Sequence, residues 1–396
     1  MLYPLKFMPL YKNKVWGGNK IKTLGFDYDP LPNCGELWAL SGVEGNESII
    51  ENGFLAENTL NDALEIYMGE LIGDKNYERY GNNFPLLIKL IDAADKLSIQ
   101  VHPDDALARD RDMENGKTEM WYVIDADKNA QIIDGFQQTL TPHQYQQLLT
   151  DGQLESALHI EHPKPGDVYF IPAGRVHAIG KGLLIAEIQQ SSDCTYRIYD
   201  YNRPDADGKL RELHTQEALD AISFDATTDG LTHYTYQPDA TSPIVKCPYF
   251  TTNLVAINKP IRKDFAQLDS FVIYLCVEGI AAIKTLETII PIHAGECVLI
   301  PAVAETVELF AEGTAKLLEV YADPDLIPDD GITHEYDNDW IAQFMDIQAE
   351  SLQDDEYGED DNECGCGCHH HDHDHDECGC GCHHHDHNGN ECGCHK

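Results

Sequence analysis

Gly166-Asp-Val-Tyr-Phe-Ile-Pro172 is echoed later in the chain by Gly295-Glu-Cys-Val-Leu-Ile-Pro301. Each copy reads as a turn glycine, a short buried strand and a proline that ends it. Two unrelated strands with ordinary punctuation would also give such a pair, because short matches alone are weak. The residues after each proline decide between these readings. The first copy continues Ala173-Gly174-Arg175-Val176-His177, and the second continues Ala302-Val303-Ala304-Glu305-Thr306. One copy has a glycine and a histidine where the other has valine and threonine. This pattern predicts two related β-barrels, of which only the first holds a metal.

Outward from these strands the chain alternates short apolar runs with Gly, Pro and Asp punctuation. Leu86–Leu90, Met120–Ile124, Val168–Pro172, Leu183–Ile188, Phe271–Val277 and Ala315–Tyr321 read as strands. Helices interrupt them. Thr59–Met68 sets Leu60, Ala63, Leu64 and Tyr67 on one face. Thr141–Leu149 opens with a capping box from Thr141 to Gln144 and with Pro142 at a first helical position. A third helix is expected from Thr215 to Ile222. Strands outnumber helices, so the expected fold is mainly β: two jelly-roll barrels with short helical insertions. The expected division is 1–235 for the metal-holding domain, 236–346 for the metal-free one and 347–396 for a tail of different composition.

The chain has 396 residues, 42% of them hydrophobic and 9% aromatic, enough for a sizeable core. Disorder of the whole chain is excluded. Against 27 Lys and Arg stand 69 Asp and Glu, a formal charge of −42. Such a field repels nucleic acid and anionic membrane surfaces, while one locally positive pocket can still take a small anion. The opening residues lack the apolar stretch and small-residue cleavage site of a signal peptide. A cytoplasmic enzyme is the expectation, and oligomeric state is left open. Cys34, Cys194, Cys247, Cys276 and Cys297 are scattered, as reduced thiols would be.

The chemistry gathers in three segments. In Leu97-Ser-Ile-Gln-Val-His-Pro-Asp-Asp105, an alternating strand pattern sends Gln100 and His102 to one face. In Gly116-Lys-Thr-Glu-Met-Trp-Tyr122, Lys117 and Glu119 share a face in the same way. His177 follows the Gly166–Pro172 strand. A lone histidine is most often a hydrogen-bonded structural residue, and a lone strand glutamate is most often solvated. Two imidazoles, a carboxylate and an amide oxygen converging together instead suit Zn²⁺ with room for water or substrate.

The segments Gln100-x-His102 with Glu119, and Gly166 to His177, resemble the two motifs of the cupin superfamily. More narrowly, the chain resembles the type I mannose-6-phosphate isomerases in their short bacterial form. The resemblance rests on Val15-Trp-Gly-Gly18, Gly35-Glu-Leu-Trp38, Phe84 to Ala93, Leu97 to Asp105, Gly116 to Tyr122, Ala173 to Ile179 and Glu187 to Asp200. It spans about residues 1–325 and leaves the tail unmatched. It implies a zinc-dependent interconversion of mannose 6-phosphate and fructose 6-phosphate through an enediol, with one catalytic ion and a small sugar phosphate as partner. It also implies Gln100, His102, Glu119 and His177 as metal ligands and Arg197 as the active-site arginine. Lys117 can meet a phosphate or a sugar oxygen as a point charge. Glu187 and Asp193 are further substrate-side candidates, Asp193 as an acid or base or as the group that orients Arg197. The base is left unassigned. Competing readings keep the metal cupin but give it oxygenase or epimerase chemistry, or make metal storage by the tail its main task.

From Glu350 onward there are 14 acidic residues and one basic one, with eight of the 13 Cys and ten of the 19 His. Three units recur every 14 residues. They begin Cys364-Gly-Cys366-Gly-Cys368-His369-His370-His371, Cys378-Gly-Cys380-Gly-Cys382-His383-His384-His385 and Cys392-Gly-Cys394. With hardly any large apolar residue, this tail is expected to be disordered without metal. Soft sulfur with imidazole suits Zn, Ni or Cu. Storage, buffering against excess metal and supply of the catalytic site all remain open for it, as does a merely solubilising role.

Overall fold

The computed structural model describes residues 2–113, 115–205 and 207–326. They belong to a compact unit, Met1–Gln343; a second unit, Phe344–Lys396, lies outside the described residues, and so do the expectations for the tail.

The architecture is mainly β, in three sheets. A six-stranded sheet runs in the order Leu10–Lys12, Glu36–Leu40, Leu86–Ala93, Leu183–Gln190, Glu119–Ala126, Val168–Ile171. Its two central strands, Leu86–Ala93 and Leu183–Gln190, are buried at every residue, so both faces of this sheet are covered. Side chains alternate between those faces. Leu86, Ile88, Leu90, Met120 and Ile188 point one way, into a core shared with Leu254, Phe271, Ile273, Leu299 and Leu318 of the second jelly roll. Ile91, Trp121, Val123 and Ile185 point the other way and pack on Ile132 and Ile179 of a five-stranded sheet. The order in that sheet is Tyr196–Tyr199, Ile99–Val101, His177–Ile179, Ile132–Phe136, Leu158–Glu161.

Helical insertions cover the outer face of the five-stranded sheet. Pro142–Thr150 and Thr215–Ala221 bring Tyr145 and Ala218 against Ile99, Val101, Val176 and Tyr196. The Thr141–Gln144 capping box forms as read, and Thr59 makes another with Asp62 ahead of Leu60–Tyr67.

The second jelly roll is an eight-stranded sheet whose longest members are Val272–Lys284 and Thr306–Tyr321. The start of the chain joins it: Leu5 pairs with Leu299 and Lys6 with Val298. A cut at residue 235 would therefore leave the second sheet without its edge strand. The five cysteines of the described residues are free, four of them buried.

One local expectation changes, and two short helices are unforeseen. The strand read over Leu97–Asp105 is only Ile99–Val101, because Pro103 ends it and Asp104 caps a helix, Asp105–Asp110, by accepting from the Leu107 N–H. Gly69–Ile72 and Asp74–Tyr80 are short helices with no strong apolar periodicity, and their sequences give no clear signal.

Candidate metal centre

Three wholly buried residues, His102, Glu119 and His177, bring one potential ligand atom each to within 4.8 Å of one another. Glu119 opens its strand and pairs with Ile171 and Gln189. His177 opens its own strand opposite Gln100. The turn before it explains the glycine of the motif. Arg175 N–H donates to Pro172 O at 3.1 Å, with Gly174 at φ +86°, a conformation that side chains rarely adopt. The Gly174 N–H donates to His102 O at 2.9 Å and so ties both histidine segments together.

The polar atoms fit a cation. His177 Nδ1 lies 2.8 Å from Arg175 O; a carbonyl only accepts, so Nδ1 carries the proton and Nε2 presents a lone pair. Glu119 Oε1 is 3.4 Å from that Nε2, and Glu119 Oε2 is 3.5 Å from His102 Nε2. Neither ring nitrogen of His102 has a hydrogen-bond partner, and Glu119 Oε2 meets only the Lys117 ammonium at 3.2 Å and the His102 ring. Buried polar atoms left in this way are costly, and a divalent ion among them would satisfy all three side chains. Gln100 reaches the same place with its amide nitrogen 3.3 Å from His177 Nε2. A half-turn of the amide would offer its oxygen instead.

Electrostatics keep the ligands in ion-ready states. Burial, helped by the nearby Lys117 ammonium, pushes His102 down to about 3, so its ring is neutral. Burial lowers His177 too. Burial would raise Glu119, but Lys117 and the two histidines overcome it and hold the carboxylate well below its ordinary range. Lys117 Nζ sits 3.2 Å from Glu119 Oε2. Burial works against its charge, yet Glu119 and Glu187 raise it above the ordinary lysine value.

Around this centre lies a row that sequence reading resolves only in part. Trp38, Lys89, Glu187 and Trp121 stand side by side on four strands. Trp121 Nε1–H is 3.1 Å from both Glu119 Oε1 and Glu187 Oε1. Lys89 Nζ lies 3.3 Å from Glu187 Oε2 and donates to Gln189 Oε1 at 2.8 Å. Burial and the neighbouring Glu119 raise Glu187 above its ordinary range. Lys89 is not among the residues singled out from the sequence. Its signal is nonetheless there: a lone cation inside Leu-Leu-Ile-Lys-Leu-Ile, an otherwise apolar run.

On the facing sheet, Arg197, Gln100, His177 and Asp134 form a matching row. Arg197 is half-buried, and its Nη1–H donates to Glu212 O at 2.9 Å. Asp134 accepts from Arg175 Nη1 at 2.7 Å. Asp193 is exposed at the rim, where its charge acts on Lys117. The structure thus gathers Gln100, His102, Lys117, Glu119, His177 and Glu187, places Arg197 one strand from Gln100, and leaves Asp193 outside.

Comparison with known proteins agrees with this geometry. Residues 4–143 match the family described as phosphomannose isomerase type I, catalytic domain, and residues 240–322 match the mannose-6-phosphate isomerase cupin domain. A mannose-6-phosphate isomerase of Bacillus subtilis, ManA, is 36% identical over 304 residues, 75% of this chain and 93% of that protein. The chain belongs to the type I phosphomannose isomerase family. Another member, the mannose-6-phosphate isomerase of Streptococcus mutans, is 38% identical over 253 residues, covering 63% of this chain and 78% of that one. A crystal structure of the Bacillus subtilis enzyme superposes with a TM-score of 0.72 at 33% identity, over 80% of this chain and 99% of that one. At 18% identity, a Salmonella typhimurium phosphomannose isomerase variant shares the fold with a TM-score of 0.67.

Proposed function

We propose that this protein interconverts mannose 6-phosphate and fructose 6-phosphate, using Zn²⁺ held by His102, Glu119 and His177 with Gln100 as a neutral fourth ligand. The observation that carries the reading is the buried histidine–glutamate–histidine centre with unsatisfied ligand atoms, in a chain of this family. Such an ion, when bound, acts as a Lewis acid on the sugar oxygens. The reaction moves a hydrogen between C2 and C1 of the open-chain sugar, so no external oxidant or reductant is consumed.

The chain's own residues supply the rest. Arg197, anchored on Glu212 O, is placed to stabilise negative charge on an enediolate oxygen. Lys117, kept charged by Glu119 and Glu187, offers a second cation to an anionic substrate in a chain of net charge −42. Glu187, buried between Lys89 and Trp121, and Asp193 at the rim are the carboxyl groups available on the substrate side. The jelly roll of residues 1–235 carries this chemistry, the domain over 236–346 holds no metal, and the protein works in the cytoplasm.

The test is a coupled assay for fructose 6-phosphate formed from mannose 6-phosphate. Turnover should disappear after chelation and return with Zn²⁺. Turnover that survives complete metal removal would overturn the zinc assignment. For the tail we propose separate metal storage or buffering by its Cys-Gly-Cys and His-His-His units. Calorimetric titration of the 364–396 peptide under reducing conditions should show micromolar or tighter binding of Zn²⁺ or Ni²⁺. No binding would reduce the tail to a solubilising segment.

A further inference from the structure

Arg197 is held from behind by a loop that doubles back on it. Its N–H donates to His214 Nδ1 at 3.2 Å, His214 N–H donates to Arg197 O at 2.7 Å, and its guanidinium Nη1 meets Glu212 O at 2.9 Å. The Arg197 Nε is buried and has no partner, so the Glu212 carbonyl is what orients the group. The loop is fastened by a residue three positions beyond Arg197. Asp200 is 4% exposed and receives three side-chain hydrogen bonds. Arg211 approaches it in a fork, Nε to Oδ2 at 2.7 Å and Nη2 to Oδ1 at 2.6 Å, and Arg203 Nη2 reaches Oδ1 at 2.8 Å. Arg203 is itself pinned to Lys96 O at 2.7 Å. Tyr201 and Asn202 turn the chain with φ of +56° and +52°, a conformation that the Asp200–Arg203 contacts must hold. The circuit closes: Arg197 leads along its strand to Asp200, Asp200 grips Arg211, and the next residue offers its carbonyl to Arg197.

We propose that Asp200 is a positioning residue for the isomerase reaction, setting the aim of the Arg197 guanidinium through Arg211 and Glu212. This rests on the isomerase reading above. Its chemistry suits the task, since a bidentate Arg–carboxylate pair fixes direction as well as distance. Small misplacements of a catalytic group are expensive in rate, up to about 100-fold for an ångström.

The test is a cycle of four full-length proteins loaded with Zn²⁺: wild type, Asp200→Asn, Arg197→Ala and the double variant. For each, kcat, KM for mannose 6-phosphate and bound metal are measured. Asp200→Asn should lower kcat by about 10-fold or more, with metal content and KM near wild type. In the Arg197→Ala background the same change should alter kcat less than about 2-fold, because coupled residues are not additive. A full, multiplicative loss in both backgrounds, or an unchanged kcat in the single variant, would overturn the proposal. Should Asp200→Asn fail to fold, Arg211→Lys keeps the charge but loses the fork, and the same cycle run with it separates the same two outcomes. A wild-type protein without isomerase turnover would instead overturn the functional reading.

Discussion

The two jelly rolls carry the same turn in different amino acids. In the first, Gly166 N–H donates to Val123 O and Val123 N–H to Asp167 O; in the second, Gly295 N–H donates to Cys276 O and Cys276 N–H to Glu296 O. Val123 and Cys276 are therefore equivalent. Counting back along each strand, Val272 stands where Glu119 stands, and Val272 pairs with Ile300 as Glu119 pairs with Ile171. Past the prolines, Thr306 stands where His177 stands. Two ligand positions thus carry side chains that cannot bind zinc in the second domain.

The buried row persists in both. Trp121–Glu187–Lys89 in the first jelly roll has its counterpart in Tyr274–Glu319–Asn253 of the second. Tyr274 O–H donates to Glu319 Oε2 at 2.6 Å, and Lys263 supplies the cation at 2.6 Å from that oxygen. A buried glutamate paired with a lysine is therefore part of how this fold is built. It does not mark a metal site. The two domains share the strand frame and differ at the positions of Glu119 and His177.

Paired substitutions break this comparison where it is sharpest. His177→Ala should lower metal affinity and turnover together by more than about 100-fold, since losing even an outer partner of a metal ligand costs 10–100-fold. Thr306→Ala, at the equivalent place, should leave both within about 2-fold. Metal analysis with the coupled assay distinguishes them, and equal effects would remove the asymmetry between the domains.

Glu187→Gln and Glu319→Gln each leave a lysine poorly paired, Lys89 and Lys263 respectively. Each should cost about 3 kcal/mol in urea unfolding. Only Glu187→Gln should also reduce kcat measurably beyond what stability explains. A similar kcat loss from Glu319→Gln would tie the second domain to catalysis.

The smallest contrast lies in the turns. Gly174 has φ +86° and an added Cβ would come 3.0 Å from Ala221 O, whereas Ala304 N–H closes the second turn on Pro301 O at 2.9 Å with Val303 outside the left-handed region. Gly174→Ala should cost about 1–2 kcal/mol, and Val303→Ala about 0.5 kcal/mol or less. Thermal unfolding measures both.

Much of the fold is legible in the sequence because its central strands are buried on both faces and read as mostly apolar runs. The Thr141 capping box is legible because its partner is three residues away. Glu119 and His177 stand out because each follows a local signal, a facing pair or a turn glycine. Asp200 does not, and Lys89, a lone cation in an apolar run, gives no sign of its partner. Lys89 meets Glu187 only through strand register, and Asp200 meets Arg211 only after a loop whose first turn puts Tyr201 and Asn202, and not a glycine, in left-handed conformations. The strand expected over Phe271–Val277 runs on to Lys284; its apolar signal stops early because Glu278, Gly279 and Ile280 are exposed where it leaves the core. Pairings across a sheet or a returning loop leave no periodic trace in a single sequence.

Metal content bears most directly on the division of labour between the two jelly rolls. The chain ended after Gln343, where the first compact unit ends, removes the tail's own thiols and imidazoles from the measurement. Mass spectrometry under native conditions should then find one Zn²⁺ per chain in the active truncated protein and none in its His177→Ala form. Two tightly held ions per chain, or one ion retained without His177, would contradict a single catalytic metal at His102, Glu119 and His177.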